Sequence, residues 1–315
     1  MSGGVTVVIA GRGRYQTLIR TIVSLQKSDV HPERIIYADT GSASQVTEDI
    51  RREFPDVQIV SMEGGNPQAG RNAGASLAKT KYVLFADDDV EFGTSCISQA
   101  FSLMEHVPMV GLVGWNTDCP ASQPDCIGYT TMSPVWLSRN GQSKSWRGAR
   151  RVYTVRNAYL VRTDLFWKIG GWDEDLYIQF DENDLCFRIY LAGYSVACIG
   201  DSPITDINWA NRNNSAYIEE VGTDRYALSV RNMVLVAVKT LSLPSLVTIF
   251  PLAVFVTIVK SLVDRNLRSA IHGLSLSASV VGKFWKKRGG ILRGGWQDDM
   301  KIISSLLRES EIETR

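Results

Sequence analysis

Residues 82–90 read Tyr82-Val83-Leu84-Phe85-Ala86-Asp87-Asp88-Asp89-Val90. Five apolar residues stop abruptly at three carboxylates. A short apolar run bounded by charge predicts a buried strand that surfaces at its C-terminal end. In open α/β sheets, ligands lie outside the carboxyl ends of the strands. Three acids packed there repel one another unless a cation or hydrogen-bond donors offset their charge. An Asp-x-Asp pair in that position suits a divalent ion with oxygen ligands, shared with a substrate phosphate. The plain alternative is a solvated acidic loop.

Strand and helix patterns alternate outward from this stretch. Val5–Ala10 predicts a first buried strand. Thr17–Lys27 predicts a helix with Leu18, Ile22 and Leu25 on one face. Arg34–Ala38 is a short strand that runs into Asp39-Thr40-Gly41-Ser42, and Val46, Ile50 and Phe54 mark the next helix. Val57–Val60, an Ala-rich helix over Asn72–Lys79, a helix around Ile97–His106 and a strand over Met109–Gly114 follow. This alternation predicts an α/β fold with a mostly parallel, doubly wound sheet. Periodicity fades over 116–149, where Pro120, Pro124 and Pro134 stand among Ser, Gly and Asn. A loop region that long is either one wall of a site or a surface insertion. Order returns with a helix over Thr163–Ile169 ended by Gly170-Gly171, a helix over Asp181–Leu191 ended at Gly193, and a strand over Tyr194–Ile199.

The C-terminal third changes character. Ser242–Val263 is strongly apolar but interrupted by Pro244 and Pro251, and it carries Lys260 near its end. A bilayer span needs roughly 20 apolar residues. Downstream stand Lys283-Phe284-Trp285-Lys286-Lys287-Arg288, then Arg293 and Trp296. Basic residues beside Trp and Phe suit the headgroup layer of an anionic membrane. Interfacial or re-entrant amphipathic helices fit this pattern better than a true span, a buried helix or an oligomer contact. The chain has 315 residues and a net charge of +1, which suits one large domain with an appendage and argues against a nucleic-acid binder. Five cysteines form no CxxC pair and predict free thiols in a reducing compartment. Cys119 and Cys126 flank a Pro-rich loop but have no partner pair or His to complete a zinc site. Val5–Ala10 is too short, and lacks the basic lead, for a signal peptide. His31, His106 and His272 sit in no catalytic motif.

Four clusters could carry chemistry. Asp39, just past a strand, could accept from a base or a ribose hydroxyl, or simply cap the next helix. Asn66-Pro67-Gln68-Ala69-Gly70-Arg71-Asn72-Ala73-Gly74 permits close backbone approach, with Arg71 able to clamp a phosphate or face a base. In the acid triplet, Asp89 is the principal metal ligand and Asp87 lies on the nucleoside side. In Asp181-Glu182-Asn183-Asp184-Leu185-Cys186-Phe187-Arg188, Asp181 and Asp184 can serve the helix start, and Glu182 is left as a general base for an acceptor hydroxyl.

In this order the clusters resemble the nucleotide-sugar glycosyltransferases of family 2, which have the GT-A fold, a Rossmann-like single domain. The stretches that carry the resemblance are Ala10-Gly11-Arg12-Gly13-Arg14, Asp39-Thr40-Gly41-Ser42, Asn66 through Gly74, Asp87-Asp88-Asp89, Gly170-Gly171-Trp172-Asp173-Glu174 and Asp181 through Arg188. They span roughly residues 5–235. Arg225-Tyr226 and Arg231-Asn232, followed by apolar and basic helices, look like the rhamnosyltransferase-type branch, whose members associate with membranes and build surface glycans on lipid carriers. Three departures stand out. The opening turn lacks the family's Tyr and Asn. The acidic box reads Asp-Glu rather than Glu-Asp, which puts Glu182 at the base position. Asp206 stands where many relatives carry a His.

The resemblance implies an inverting, metal-dependent transfer from a nucleoside-diphosphate sugar to a hydroxyl of a glycan or lipid-linked acceptor. It implies Mn2+ or Mg2+ held by Asp89, Asp87 and Asp206. It implies a donor nucleotide against Ala10, Gly11, Arg12, Asp39, Arg71, Asp87 and Asp88. Glu182 and Asp181 become catalytic, and Trp172, Asp173 and Asp184 line the acceptor side. The expected organisation is a GT-A domain over 1–235 and a membrane-associating helical region over 236–315, placed peripherally on the cytoplasmic face. The same helices could serve a homodimer. A polyprenyl-phosphate glycosyltransferase, an inactive sugar-nucleotide-binding scaffold and a nucleotidyltransferase are the alternatives.

Overall fold

The computed structural model describes residues 2–62, 64–118, 128–141, 146–207, 224–291 and 295–312. The expectations for Cys119, Cys126 and Arg293 fall outside those residues.

The chain opens with β1 (Ser2–Gly11), α1 (Tyr15–Gln26), β2 (Arg34–Asp39), α2 (Ser44–Glu53), β3 (Val57–Ser61), α3 (Pro67–Ser76) and β4 (Thr80–Asp87). It continues through β5 (Val90–Glu91), α4 (Cys96–His106) and β6 (Val110–Asp118). The short strands β7 (Tyr129–Met132), β8 (Ser138–Asn140), β9 (Ala149–Arg151) and β10 (Thr154–Val155) come next. Then follow β11 (Ala158–Arg162), α5 (Thr163–Lys168), α6 (Asp181–Leu191) and β12 (Ser195–Asp206). The chain closes with α7 (Arg225–Thr240), α8 (Leu243–Val263), α9 (Leu267–Lys287), α10 (Trp296–Ser305) and β13 (Ser310–Glu311).

The main sheet runs β13-β9-β12-β6-β11-β4-β1-β2-β3, with β5 attached to β12. The pairs β3-β2-β1-β4 are parallel, and so is β6-β12, as the alternating strand–helix pattern predicts. Strand β11 runs against both β4 and β6. Apolar periodicity carries no strand direction, so this inversion was not readable from the sequence. Both faces are covered. Val5, Val7 and Ile9 of β1 point to one core with Leu18 and Ile22 of α1, whereas Val8 and Ala10 point to the other with Ala75 of α3. Tyr82, Leu84 and Ala86 of β4 oppose Val83 and Phe85 in the same way. A strand buried on both faces reads as a continuous apolar run, which is why 82–86 shows no alternation.

Two local expectations need correction. Helix α3 begins at Pro67, not near Asn72. Asn66 caps it by accepting from the Gln68 and Ala69 N–H groups, and Pro67 supplies a first-turn residue that needs no N–H partner. Gly70 and Gly74 lie inside the helix because it packs tightly on the sheet. A Cβ on Gly74 would stand 2.5 Å from Val8 Cγ1, and one on Gly70 would stand 2.9 Å from Thr40 Cγ2. The described residues of 116–149 also hold β7 and β8, which their composition does not imply. Strands β7, β8 and β10 form a separate three-stranded antiparallel sheet, pinned by the Thr130–Thr154 hydroxyl pair at 2.7 Å and by Tyr129 edge-on to Trp146. Its strands are two to four residues long, too short to show a period.

Helices α7 and α10 pack against α6, and α8 and α9 pack on α7. Met233, Leu235 and Val236 of α7, Ile249 of α8, Phe284 of α9 and Ile303 of α10 share one core with Leu185 and Phe187. Helix α7 therefore runs straight through the boundary expected at residue 235. Pro244 and Pro251 do not interrupt α8. Pro244 stands in its first turn, and Pro251 lies inside an otherwise continuous helix.

Ion pairs stitch these helices to the loop before α6. The buried Lys239 ammonium of α7 lies 2.7 Å from Asp173 and 2.5 Å from Asp184. Lys287 of α9 pairs with Asp173 and, at 2.7 Å, with Asp175, which also meets Lys283 at 2.7 Å. Burial drives Lys239 below its ordinary value, opposed by the two carboxylates. Burial alone would raise Asp173, yet Lys239 and Lys287 hold it well below the usual carboxylate range.

The loop that follows is strained. Tyr177, Gln179 and Phe180 all take positive φ, at 62°, 69° and 63°. Such conformations cost non-glycine residues of order 1–3 kcal/mol each and persist where surrounding contacts over-determine them. Here the fully buried Asn232 amide donates to the carbonyls of Leu176, Ile178 and Gln179 at 2.8, 2.9 and 2.6 Å, and Gln68 Nε2 donates to the Tyr177 carbonyl at 3.0 Å.

Two outcomes follow for stability. Removing one partner from a buried ion pair typically costs 3–5 kcal/mol. Lys239→Met is expected near the lower end, about 3 kcal/mol in denaturant unfolding, because Arg188 and Lys287 still face Asp184 and Asp173. Since the Asp173 carboxyl is depressed in the folded chain, its contribution is present above the unfolded value near 4 and declines as pH falls through the lower folded value. Asn232→Ala is expected to cost about 2 kcal/mol by stranding buried carbonyls. Adding Gln179→Gly should restore about 1 kcal/mol, because glycine adopts that φ freely. A double variant no more stable than Asn232→Ala would contradict this account of the loop.

Candidate active site

The carboxyl ends of β1, β2 and β4 meet at one edge of the sheet. In register, Ala10 faces Asp87 across β1–β4, and Gly11 faces Asp39 across β1–β2. Gly11 is a requirement of this meeting: a Cβ there would stand 2.4 Å from Asp88 Oδ2. The β1–α1 and β2–α2 turns are tied together. Arg12 Nε donates to the Gly41 carbonyl at 3.2 Å, and the Gly13 N–H donates to Ser42 Oγ at 2.7 Å. Asp39 is buried and accepts from the Ser42 N–H at 2.9 Å, which fixes the turn after β2; α2 starts from Ala43 with no side-chain cap, so Asp39 does not cap it.

The three acids of the triplet part company. Asp87 turns to Arg71, whose Nη2 donates to Asp87 Oδ1 at 2.6 Å. Asp88 and Asp89 are buried and turn to Arg14, whose Nη1 stands 3.2 Å from Asp88 Oδ1 and 2.6 Å from Asp89 Oδ2. Burial pushes the Asp88 carboxyl up to about 7. Asp89 and Asp87 add to that rise, whereas Arg14 and the Arg12 N–H oppose it. Asp206 is buried at the end of β12 and pairs in register with Val90, and the Ile207 N–H donates to the Asp89 carbonyl at 2.8 Å. The backbone thus brings Asp206 beside Asp89.

Among the described residues, no three His, Cys, Asp or Glu side chains converge as a metal cage. The expected trio of Asp87, Asp89 and Asp206 is corrected to that extent, because Asp87 belongs to Arg71. A hard divalent cation needs no full protein cage; one or two carboxylates suffice when substrate phosphates and water supply the rest. Asp88 Oδ2, buried and without a hydrogen-bond partner, marks this carboxylate edge as able to take further positive charge. The oxygen donors present fit such an ion.

Arg71 links the triplet to the second acidic stretch. Its Nη1 donates to Gln68 Oε1 at 3.0 Å and lies 3.6 Å from Asp181 Oδ2, and its guanidinium stacks over Trp172 at 5.0 Å. Gln68 Nε2 in turn donates to Asp181 Oδ2 at 2.7 Å. Burial and the neighbouring Glu182 raise Asp181 well above the usual carboxylate range, against the pull of Arg71. Glu182, half-buried, accepts from the Tyr159 hydroxyl at 3.1 Å. Burial, Glu182 and Asp87 keep the Tyr159 phenol protonated and able to donate.

Three residues expected at the acceptor side lie elsewhere. Trp172 is buried edge-on to Phe85 and Tyr159, beneath Arg71. Asp184 is fully buried between Arg188, at 2.6 Å, and Lys239. Arg188 also donates to the carbonyls of Ile169 and Gly171, closing the turn after α5. The Asp173 side chain is held by Lys239 and Lys287. These side chains hold the floor and the C-terminal helices. The Asp184–Arg188 pair is a local one, four residues apart in α6, but Lys239 and Lys287 and the rings around Trp172 come from distant segments and leave no local signature.

Sequence reasoning assigned no role to Arg14, Gln68, Tyr159, Asn232 or Lys239. Arg14, Gln68 and Asn232 sat inside stretches already singled out. Tyr159 and Lys239 sit in ordinary apolar patterns and gave no signal.

Against known proteins, the model of the glycosyl transferase family 2 matches residues 6–169, slightly more than half of the chain. An N-acetylglucosaminyl-diphospho-decaprenol L-rhamnosyltransferase of Mycobacterium tuberculosis is 23% identical over 208 residues, covering 56% of this chain and 67% of that protein. Among solved structures, the Pyrobaculum calidifontis mannosyltransferase in complex with GDP-Man and Mn2+ superposes with a TM-score of 0.58 at 14% identity, over 97% of this chain and 80% of that one. GalNAc-T7 with UDP, GalNAc and Mn2+ superposes with a TM-score of 0.59 at 16% identity, over 75% of this chain but only 48% of its own length. Likeness at such identities speaks for the shared GT-A fold alone. The family model covers more than half of the chain, and with the strand-end carboxylates in place the chain belongs to glycosyltransferase family 2.

Proposed function

We propose that the chain is an inverting, metal-dependent glycosyltransferase that moves a sugar from a nucleoside-diphosphate donor to a hydroxyl of a lipid-linked or surface glycan. The observation that carries this reading is the meeting of two acidic stretches, far apart in sequence, across one guanidinium: Asp87 and Asp181 flank Arg71, with Glu182 next in the chain. The named substrate of the Mycobacterium relative supports a lipid-linked acceptor.

The donor nucleotide would lie over Ala10, Gly11 and Arg12, with Asp39, Asp87 and Asp88 facing base and ribose and Arg71 facing the phosphates. Mn2+ or Mg2+ would be held by Asp89 with Asp206, and when bound would supply positive charge to the departing diphosphate. Glu182 takes the proton from the acceptor hydroxyl as its oxygen attacks the anomeric carbon. Tyr159 fixes the Glu182 carboxylate through its hydroxyl. Burial drives the adjacent Asp181 towards its protonated form, and the proton acceptor is Glu182, whose carboxylate the Tyr159 hydroxyl holds. The strained loop at 177–180, with Tyr177 exposed, rims the acceptor side.

The same reading places residues 236–315 on a membrane surface at the cytoplasmic face. Helix α8 is long and apolar enough to cross a membrane, by length and composition, yet it lies little buried among the described residues. Val247, Leu252, Phe255 and Val263 are exposed along it, Trp285 is exposed between Lys283 and Lys286 on α9, and Trp296 is exposed at the start of α10. Apolar burial beside several cations, each worth about 1 kcal/mol near an anionic surface, suits peripheral binding.

Two experiments check these readings. Thermal unfolding with a panel of nucleoside diphosphates and their sugars, with and without Mn2+ or Mg2+, should reveal metal-dependent protection by one nucleotide. Glu182→Gln should keep that protection and lose transfer by a factor of at least about 100. Normal turnover in this variant would remove Glu182 from the base role and favour a phosphate acceptor. Separately, the chain should co-sediment with vesicles containing phosphatidylglycerol, less so at high salt, and Phe255→Asp should weaken that binding. Indifference to vesicles with a dimer in light scattering would assign the apolar face to a second copy.

A further inference from the structure

Arg14 stands at the head of α1, where the β1 strand end turns into the helix. A single nitrogen of its guanidinium lies 2.6 Å from Asp89 Oδ2 and 3.2 Å from Asp88 Oδ1. Both carboxylate side chains are buried, at 2% and 5% exposure, whereas the Arg14 side chain is 37% exposed. The cation therefore reaches the acids from the open side of the sheet edge. Asp87 is served separately, by Arg71. Two adjacent buried carboxylates need positive charge whether or not a donor is bound, because an uncompensated buried charge is strongly destabilising. Arginine suits a cation that must let go: its long, weakly hydrated side chain binds carboxylate and phosphate alike.

We propose that Arg14 is the resident counter-ion of the acid triplet in the donor-free protein. When a nucleoside diphosphate arrives with its divalent cation, the Arg14 guanidinium leaves Asp89 and turns onto the diphosphate oxygens. This rests on the metal-dependent reading above and adds a residue to it. A divalent ion alone has to compete with a tethered guanidinium and binds weakly. Nucleotide offers Arg14 a new anionic partner, so ion and nucleotide strengthen one another, and the coupling is reciprocal.

The test is Mn2+ binding to the full chain, followed by the electron paramagnetic resonance signal of free Mn2+, alone and with UDP, GDP or dTDP. Arg14→Gln is expected to bind Mn2+ alone about tenfold tighter than the wild type, the scale of one charge-assisted hydrogen bond. It should also lose most of the enhancement that nucleotide gives the wild type. Arg14→Lys keeps the charge but not the planar fork, and should fall between the two; it also serves if the Gln variant does not fold. Lys27→Gln, exposed just past the C-terminal end of α1 and outside the site, removes one positive charge as a control and should change the affinity for Mn2+ alone less than twofold. Equal Mn2+ affinity in wild type and both Arg14 variants overturns the proposal, and so does a Lys27→Gln effect as large as that of Arg14→Gln. If no form takes up Mn2+ with any nucleotide, the metal-dependent reading itself falls, a result distinct from equal uptake.

Discussion

One guanidinium sets the geometry on which the site depends. Arg71 lies between Asp87 at the end of β4 and Asp181 at the start of α6, stacked on Trp172 and bonded to Gln68. Without a cation at that point, the two acidic stretches would repel and the start of α6 could not approach the strand ends. The guanidinium is planar and carries five donors, so it can satisfy two carboxylates and an amide from one place. The close approach of α3 to the sheet, allowed by Gly70 and Gly74, brings Arg71 there.

A second layer of compensated charge lies behind the first. Asp173 and Asp184 are held by Lys239, Lys287 and Arg188, so the C-terminal helices are keyed to the same segment that bears Glu182. Asn232 adds the constraint on the loop between them, donating to three carbonyls of a backbone that takes left-handed φ at three non-glycine residues. Strain of this kind survives only where the surroundings over-determine it, and it gathers at ligand-facing segments. The exposed apolar face of α8 and the loop before α6 are thus joined through α7.

Much was legible in the residue pattern because it follows from local rules. Strand–helix alternation predicted the doubly wound sheet, and the order of the motifs identified the family. The start of α6 at Asp181 and its end before Gly193 follow from crowded acids and a glycine stop. The Pro67 start of α3 was also written locally, as Asn followed by Pro, but two glycines masked it. The antiparallel course of β11 and the small β10-β7-β8 sheet were not legible, since short strands show no period and a period carries no direction.

The sequence alone determined which chemical groups this protein owns: an acid triplet at a strand end, a second acidic box, and arginines and glycines at the turns. Only the tertiary structure decided which partner each group takes. Asp87 goes to Arg71, Asp88 and Asp89 to Arg14, Asp184 to Lys239, and Glu182 to Tyr159. The physical reason is range. Periodicity and capping act over a few residues and are written in order along the chain, whereas burial and charge pairing act through space between segments that the chain order leaves far apart.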